Sequence, residues 1–313
     1  MKAIIHIGMP KVGSSSIQEF LKLNRPALLT RGIRYAPLNP KFGSQFELAA
    51  TGVVGAGESI RDPDARLVLQ LRTPEDERAY ADKYRQTLDG WLQGWQEPLF
   101  VGSSEHIVPW LNSPERIAAL DRFLSTRFES VRYVLYLRDQ GAHILSSYSE
   151  RIRRGEDVDF STHLEGRLKH LNLNMLVRRW EDAVGAARLD VRLLTRDALI
   201  GGDLIRDFCD VLGTARDGLQ EPARMNTALS VEEIALRRRL NRRLSVRRQN
   251  GAYNRWYFWA LRLLGRMLPR PGTPLSLSPE DRQRVDAQFA TSNERLRARR
   301  FPTRATLFPP PAP

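Results

Sequence analysis

The 313-residue sequence predicts an α/β protein on a central parallel sheet, in a three-layer α/β/α arrangement, with helical additions at the carboxyl end. Three observations lead there. Short runs rich in β-branched and aromatic residues recur at residues 3–7, 33–36, 99–102, 133–137 and 191–194. Patterns of helical period lie between them, as crossover helices of a parallel sheet require. A hydrophobic share of 42% is enough for a sizeable core.

The first strand runs directly into GMPKVGSSS, residues 8–16, and Ile17, Phe20 and Leu21 then follow at helical spacing. Strand, Gly- and Ser-containing loop, then helix turns backbone N–H groups and a helix amino end toward an anion. Gly8 and Gly13 have the G-x-x-x-x-G spacing of a nucleotide P-loop. That pattern demands Lys and Ser/Thr directly after the second glycine. Ser14 and Ser15 stand there instead, and Lys11 lies inside the loop. A lysine at this place crosses the mouth of the loop, beside the bridging oxygen of the bound group. Ser14, Ser15 and Ser16 add hydroxyls and N–H groups, so the loop reads as holding a phosphate without a divalent metal.

Residues 40–74, rich in Gly, Pro and Asp, read as an irregular excursion near the substrate. The run at 99–101 reads as a buried strand with Ser103, Ser104, Glu105 and His106 emerging at its end. VRYVLYLR, residues 131–138, is a strongly apolar strand ending in Arg138, followed by a helix containing Ile144, Leu145 and Tyr148. Residues 159–185 read as one helix. Residues 234–249 read as a basic amphipathic helix, and 255–268 as an aromatic and aliphatic one with Arg255, Arg262 and Arg266 on roughly one side. A break at 269–279 precedes a final helix at 280–300. The expected organisation is a core at 1–230, a helical extension at 231–303 and a disordered Pro-rich tail at 304–313.

Other residues narrow the class. The single cysteine, Cys209, excludes disulfides within the chain and reads as a buried packing thiol; without spaced Cys/His partners a zinc site is not expected. His6 lies inside the first strand and reads as core. His143, His163 and His170 are given no role. A net charge of +13 favours polyanions and steers a multiply charged donor. No zinc-finger, RNP or heptad signature accompanies it, so nucleic acid is not an expected partner. No signal peptide opens the sequence and no apolar run reaches about 18 residues, so the expected setting is cytoplasmic. Residues 234–268 have two readings: contact with an anionic membrane on the inner face, or packing in the core with the arginines in solvent. The second is preferred.

PKVGSSS, residues 10–16, resembles the 5′-phosphosulfate-binding loop of the PAPS-dependent sulfotransferases, written PK-[ST]-G-[ST]-[ST]. PAPS is 3′-phosphoadenosine-5′-phosphosulfate. The family's 3′-phosphate site is an arginine at a strand end with a serine eight residues on, and Arg138 and Ser146 reproduce that spacing. A guanidinium offers a fixed fork of donors to a dianionic phosphate, and the serine a short neutral one. Gln140 replaces the family's usual proline, which removes no ligand. S-S-E, at the end of the strand near residue 101, aligns on the segment that carries the family's base. Glu105 is the first choice for that role and His106 the second, while Ser103 and Ser104 line the sulfate or acceptor pocket; helix capping is the ordinary alternative for Glu105. The likeness continues through residues 172–185, 201–213 and 223–230, where Arg224 and Asn226 are candidates for the 3′-phosphate or adenine.

The resemblance implies a fold related to P-loop nucleotide triphosphatases and a bacterial-type cytoplasmic enzyme. Its reaction would be metal-independent, in-line transfer of a sulfuryl group from PAPS to a hydroxyl of a carbohydrate or other small acceptor, leaving PAP. Pro10, Lys11, Gly13, Ser14, Ser15, Ser16, Arg138, Ser146 and Arg224 would hold the donor, with Lys11 stabilising the transition state. A nucleotide kinase-like phosphoryl transferase and a non-catalytic polyanion- or membrane-binding protein are the alternatives.

Overall fold

The computed structural model describes residues 1–223, 228–248 and 252–309. The chain forms two compact units, one of residues 1–138, 174–225 and 305–313, the other of residues 139–173 and 226–304. The chain passes into the second unit for the last time at residues 225–226, whereas the boundary expected from sequence is 230–231, and residues 139–173 also belong to the second unit.

The first unit holds the sheet. Strands β1 (Lys2–His6), β2 (Ile33–Tyr35), β3 (Leu99–Ser103), β4 (Ser130–Leu137) and β5 (Leu189–Leu193) are all parallel, in the order β2-β3-β1-β4-β5. All five expected strands form, with shifted ends. Central β1 pairs His6 with Ser103 on one side and with Val134 on the other. Its neighbours are buried along most of their length, so near-continuous apolar runs such as VLYL in β4 are what this position requires.

Helices α1 (Ser14–Leu23), α2 (Arg25–Thr30), α3 (Phe46–Gly55), α4 (Pro63–Leu69), α5 (Pro74–Gly94), α6 (Ile107–Trp110) and α7 (Pro114–Ser125) join the first four strands. Three of them start with the same local chemistry. Asp62, Thr73 and Ser113 each cap a helix whose first residue is proline, where the missing N–H costs nothing. Residues 40–74 are therefore not an irregular excursion: they contain α3 and α4. The helix α3 escaped detection because Glu47 to Val53 are all buried, leaving no polar face to create a period.

The expected single helix at 159–185 is two. The helices α8 (Gln140–Arg153) and α9 (Phe160–His170) belong to the second unit, and α9 ends where Leu171 leaves helical geometry; α10 (Leu173–Val184) follows and from Asn174 onward belongs to the first unit. The helix α11 (Leu204–Val211) is also part of the first unit and buries Phe208 and Cys209. Cys209 is the buried thiol expected.

The second unit continues with α12 (Val231–Asn241), α13 (Arg255–Gly265) and α14 (Pro279–Arg300). Tyr148 and Ile152 of α8 pack with Leu229 and Ile234, and Tyr257 of α13 packs with Leu240 and Val246. Asp139 caps α8 through the Ala142 N–H and pairs with Arg282 at 3.1 Å. Gln140, which stands in for the expected proline, exchanges two amide hydrogen bonds with Asn293 of α14. The basic helix expected at 234–249 is shorter, since α12 stops at Asn241 and Arg238 and Arg242 both turn onto Asp157. In α13, Tyr257 is buried with Leu261 and Leu264 packed beside it and Arg255, Arg262 and Arg266 are exposed, as the preferred reading expects, while Trp256 and Trp259 also stand in solvent. The tail expected to be disordered contains a buried Leu307, while residues 310–313 lie outside the described residues. No described helix is long and apolar enough to cross a membrane.

Two glycines test the packing in opposite directions. A Cβ on Gly52 would lie 2.6 Å from Leu111 and 2.9 Å from the Arg116 carbonyl, whereas one on Gly90 of α5 meets nothing. In chemical denaturation, Gly52→Ala is expected to destabilise by about 1–3 kcal/mol through overpacking. Gly90→Ala should stabilise by up to about 1 kcal/mol through helix propensity. Equal effects would contradict the tight α3 contact.

Candidate active site

The loop between β1 and α1 is built on two left-handed glycines, Gly8 at φ 41° and Gly13 at φ 87°. Both are also confined by neighbours. A Cβ on Gly8 would come within 3.0 Å of the Glu105 Cα, the Ser104 carbonyl and the Ser14 Oγ, and one on Gly13 within 2.3 Å of Leu204. Lys11 between them holds φ 67°, a conformation uncommon for a residue with a side chain. Val12 is fully buried and anchors the turn from beneath.

Gly13 is the N-cap residue of α1 and supplies no side-chain cap, unlike the Asp, Thr and Ser caps of α4, α5 and α7. The amino end of α1 thus presents backbone N–H groups and the positive end of its dipole at the loop, an arrangement suited to an anion. Ser14 is buried and donates to the Met9 carbonyl at 3.2 Å, tying the loop to the helix. Ser15 and Ser16 are half-buried in the first turn. Ser14 occupies the place where a Walker lysine would stand, and its hydroxyl is directed back into the loop.

The ends of β3 and β4 approach the same loop. The Ser104 N–H donates to the His6 carbonyl at 3.1 Å, the Ile7 N–H to Val134 at 3.0 Å, and the Val108 N–H to Ile7 at 3.3 Å. These bonds place Glu105 and His106 beside Gly8. From β4, the Arg138 Nη1 donates to the Lys11 carbonyl at 3.0 Å. Lys11, Gly13, Ser14, Glu105 and Arg138 therefore gather at the carboxyl edge of three adjacent parallel strands, where open α/β sheets bind their ligands.

His106 is held by residues that the sequence pattern did not single out. Ser44 Oγ lies 3.0 Å from His106 Nδ1 and 3.1 Å from Ser104 Oγ. Phe46 stacks on the imidazole at a ring distance of 4.2 Å, and Trp110 approaches it at 5.1 Å. Gln45 accepts from the Ser103 N–H at 2.8 Å and so fixes this segment to β3. A Gly-Ser-Gln run has no periodicity to mark it. The usable signal was only that polar residues before an apolar stretch commonly begin a helix. Glu105 is half-buried and precedes α6, whose N-cap residue His106 makes no side-chain capping bond.

Ser103 and Ser104 are fully buried. Ser103 bonds His6 Nδ1 at 2.8 Å, so it serves the sheet rather than an open pocket wall. His6 is fully buried, and desolvation lowers its pKa to about 3, keeping it neutral as a core residue. Ser146 lies in α8, within the second unit, and is half-buried; it is not among the residues that the first unit gathers at the loop. Arg224 and Asn226 lie outside the described residues. Pro10 is half-buried within the loop. In the second unit His163 is buried against Ser147 and the Ile144 carbonyl, and burial with the nearby Arg167 lowers its pKa to about 4.

Next to Phe46, Glu47 is buried and accepts from the Leu38 N–H at 2.8 Å. Desolvation raises its pKa to about 7, opposed in part by that bond and those from Gln45 and Tyr80. The folded state therefore holds the proton more tightly than the unfolded chain. The residue costs nothing below its ordinary value of 4.5, and stability falls as pH rises from there through about 7. Relative to Glu47→Gln, the native chain should lose on the order of 3 kcal/mol across this window in denaturation measured at several pH values. A pH-independent difference would mean that Glu47 is ionised throughout.

No family model matches the chain, and no curated protein matches it. Among solved structures, the chain is similar to a sulfotransferase from Alicyclobacillus acidocaldarius, at 15% identity and a TM-score of 0.49, over 94% of each chain. It is also similar to the sulfotransferase domain of the Synechococcus PCC 7002 olefin synthase, at 14% identity and a TM-score of 0.38, over 86% of this chain and 95% of that one. The sulfotransferase domain from the curacin biosynthetic pathway is similar at 12% identity and a TM-score of 0.41, over 92% of this chain and 96% of that one.

Proposed function

We propose that the protein is a PAPS-dependent sulfotransferase acting on a hydroxyl of a carbohydrate or other small acceptor. The observation that carries this reading is the bond from Arg138 to the Lys11 carbonyl, which brings a strand-end guanidinium to the same loop as the lysine and the uncapped helix. Two cationic side chains and a row of N–H donors suit a donor with several phosphate and sulfate charges. The buried Ser14 in the Walker-lysine position favours this reading over a kinase-like phosphoryl transferase.

In this reading the acceptor oxygen attacks sulfur, and the bond from sulfur to the bridging oxygen breaks. That oxygen leaves with the electron pair as part of the 5′-phosphate of PAP. Lys11, at the mouth of the loop, stabilises the charge gathering on the leaving oxygen, and the backbone N–H groups of the first turn of α1 hold the phosphate. Glu105 accepts the hydroxyl proton, with His106, oriented by Ser44 and Phe46, as the alternative base. Arg138 holds the donor and the loop together. Phe42, Phe46 and His106 form an aromatic wall, with Phe42 and Phe46 at 5.5 Å, which suits the flat face of a sugar ring.

The reading is tested by binding and turnover together. PAP should raise the thermal transition in the presence of EDTA, and ATP should not; stabilisation by ATP that requires Mg²⁺ would favour phosphoryl transfer. Glu105→Gln should keep PAP binding and lose about 10²–10⁴-fold in turnover. If turnover survives, the base is His106, and His106→Ala should then show the loss. Arg138→Ala should weaken PAP binding by about 1.5–3 kcal/mol in calorimetry, the scale of a hydrogen bond to a charged group.

A further inference from the structure

The helix α13 has three distinct sides. Tyr257, Leu261 and Leu264 pack with Leu240, Val246 and Leu236. Trp256, Trp259 and Leu263 recur at i, i+3 and i+7 and stand in solvent, with 68, 59 and 46% of their surface exposed, and Met267, in the turn just beyond the helix, is 75% exposed. At about 100° per residue the three helical positions share an arc of roughly 60°. Arg255, Arg262 and Arg266 fall on the arc beside it and are also exposed. A helix whose only task was to fill a core would direct the tryptophans inward.

The exposure is local. Six of the twelve large hydrophobic side chains exposed among the described residues lie between Tyr253 and Met267. Scattered apolar residues need no partner, but a contiguous set marks an interaction surface. Beside α13 a cleft of about 860 Å³ is lined by Leu236 and Leu261 together with Arg262, Arg266 and Arg270 and one carboxylate, Glu233. The sequence has no acidic residue between Glu233 and Glu280, and eleven arginines in that interval.

We propose that this face docks on the surface of a bilayer carrying anionic headgroups. The tryptophans, Leu263 and Met267 enter the boundary between headgroups and acyl chains, and the arginines meet lipid phosphates. An exposed stripe of aromatic and aliphatic side chains flanked by cations is the composition of an interfacial helix. Charge complementarity selects this occupant. A second copy of the chain would bring arginines against arginines, because the interval supplies no carboxylate to pair with them. A nucleic-acid strand would match the arginines and the tryptophans, but it offers nothing to Leu263 and Met267. The proposal is independent of the reaction assigned to the first unit.

Cosedimentation of the full chain with vesicles tests it. Vesicles of phosphatidylglycerol and phosphatidylcholine in equal parts should bind the protein, and phosphatidylcholine alone should bind it weakly. Replacing Trp256 and Trp259 together by serine should lower partitioning by at least about tenfold. Replacing Arg262 and Arg266 by glutamine should lower it by about fivefold per residue, an effect that shrinks as salt is raised. Acyl chains brominated near the headgroup should quench tryptophan fluorescence in the native chain more than in the double serine variant. Circular dichroism of both variants should match that of the native chain, which separates lost binding from lost folding. Absence of binding to the anionic vesicles, or equal binding by the serine variant, would overturn the proposal. So would a native dimer in light scattering that becomes monomeric in the serine variant with vesicle binding unchanged.

Discussion

The constraint on which the rest depends is the reversal of the chain between β1 and α1. Within a few residues it must leave the middle of a parallel sheet and enter a helix lying over it. Only glycine tolerates the left-handed backbone at residues 8 and 13 with Glu105, Ser104 and Leu204 so close. Lys11 accepts the same backbone region without that excuse. The strain is maintained because Val12 is buried below and Arg138 bonds the Lys11 carbonyl from the neighbouring strand. An alternative turn would have to give up both contacts.

From that turn follows the electrostatic character of the sheet edge. A glycine N-cap leaves the first turn of α1 without a side-chain acceptor, and the Ser16 N–H turns to the Gly13 carbonyl at 2.9 Å. Other helices satisfy the same need internally with Asp, Ser or Thr. The missing cap is not unique, since α2, α3 and α6 also lack one; what sets α1 apart is that its amino end adjoins the loop carrying Lys11 and receiving Arg138. Glu105 and His106 lie at the end of β3, next to this loop.

Glu47 shows the cost of packing α3 beside the end of β3. Its carboxyl is buried one residue from Phe46, the ring that braces His106. A neutral acid there can hold the Leu38 backbone and take a bond from Tyr80 without carrying a charge into the core. The aromatic wall and its polar support thus form one packed unit between β3, α3 and α5. In the second unit, by contrast, α13 satisfies its inner side against α12 and keeps tryptophan outside, an arrangement that a requirement for folding alone does not explain.

The sequence by itself determined the parallel sheet, the glycine loop between β1 and α1 and the arginine at the end of β4. Each depends on local pattern: β-branched runs, a glycine spacing, and a charge at the limit of an apolar segment. It did not reveal α3, because a helix buried on all sides loses the amphipathic period by which helices are read. Ser44, Gln45 and Phe46 were equally hidden, since their roles arise from contacts with Ser103, Ser104 and His106 some sixty residues away. The direction of the α13 tryptophans was likewise undecided, for a stripe of aromatic residues has the same spacing whether it faces a core or solvent. Only tertiary packing assigns the sides of a helix, because burial is a property of what lies opposite a residue rather than of the residue itself.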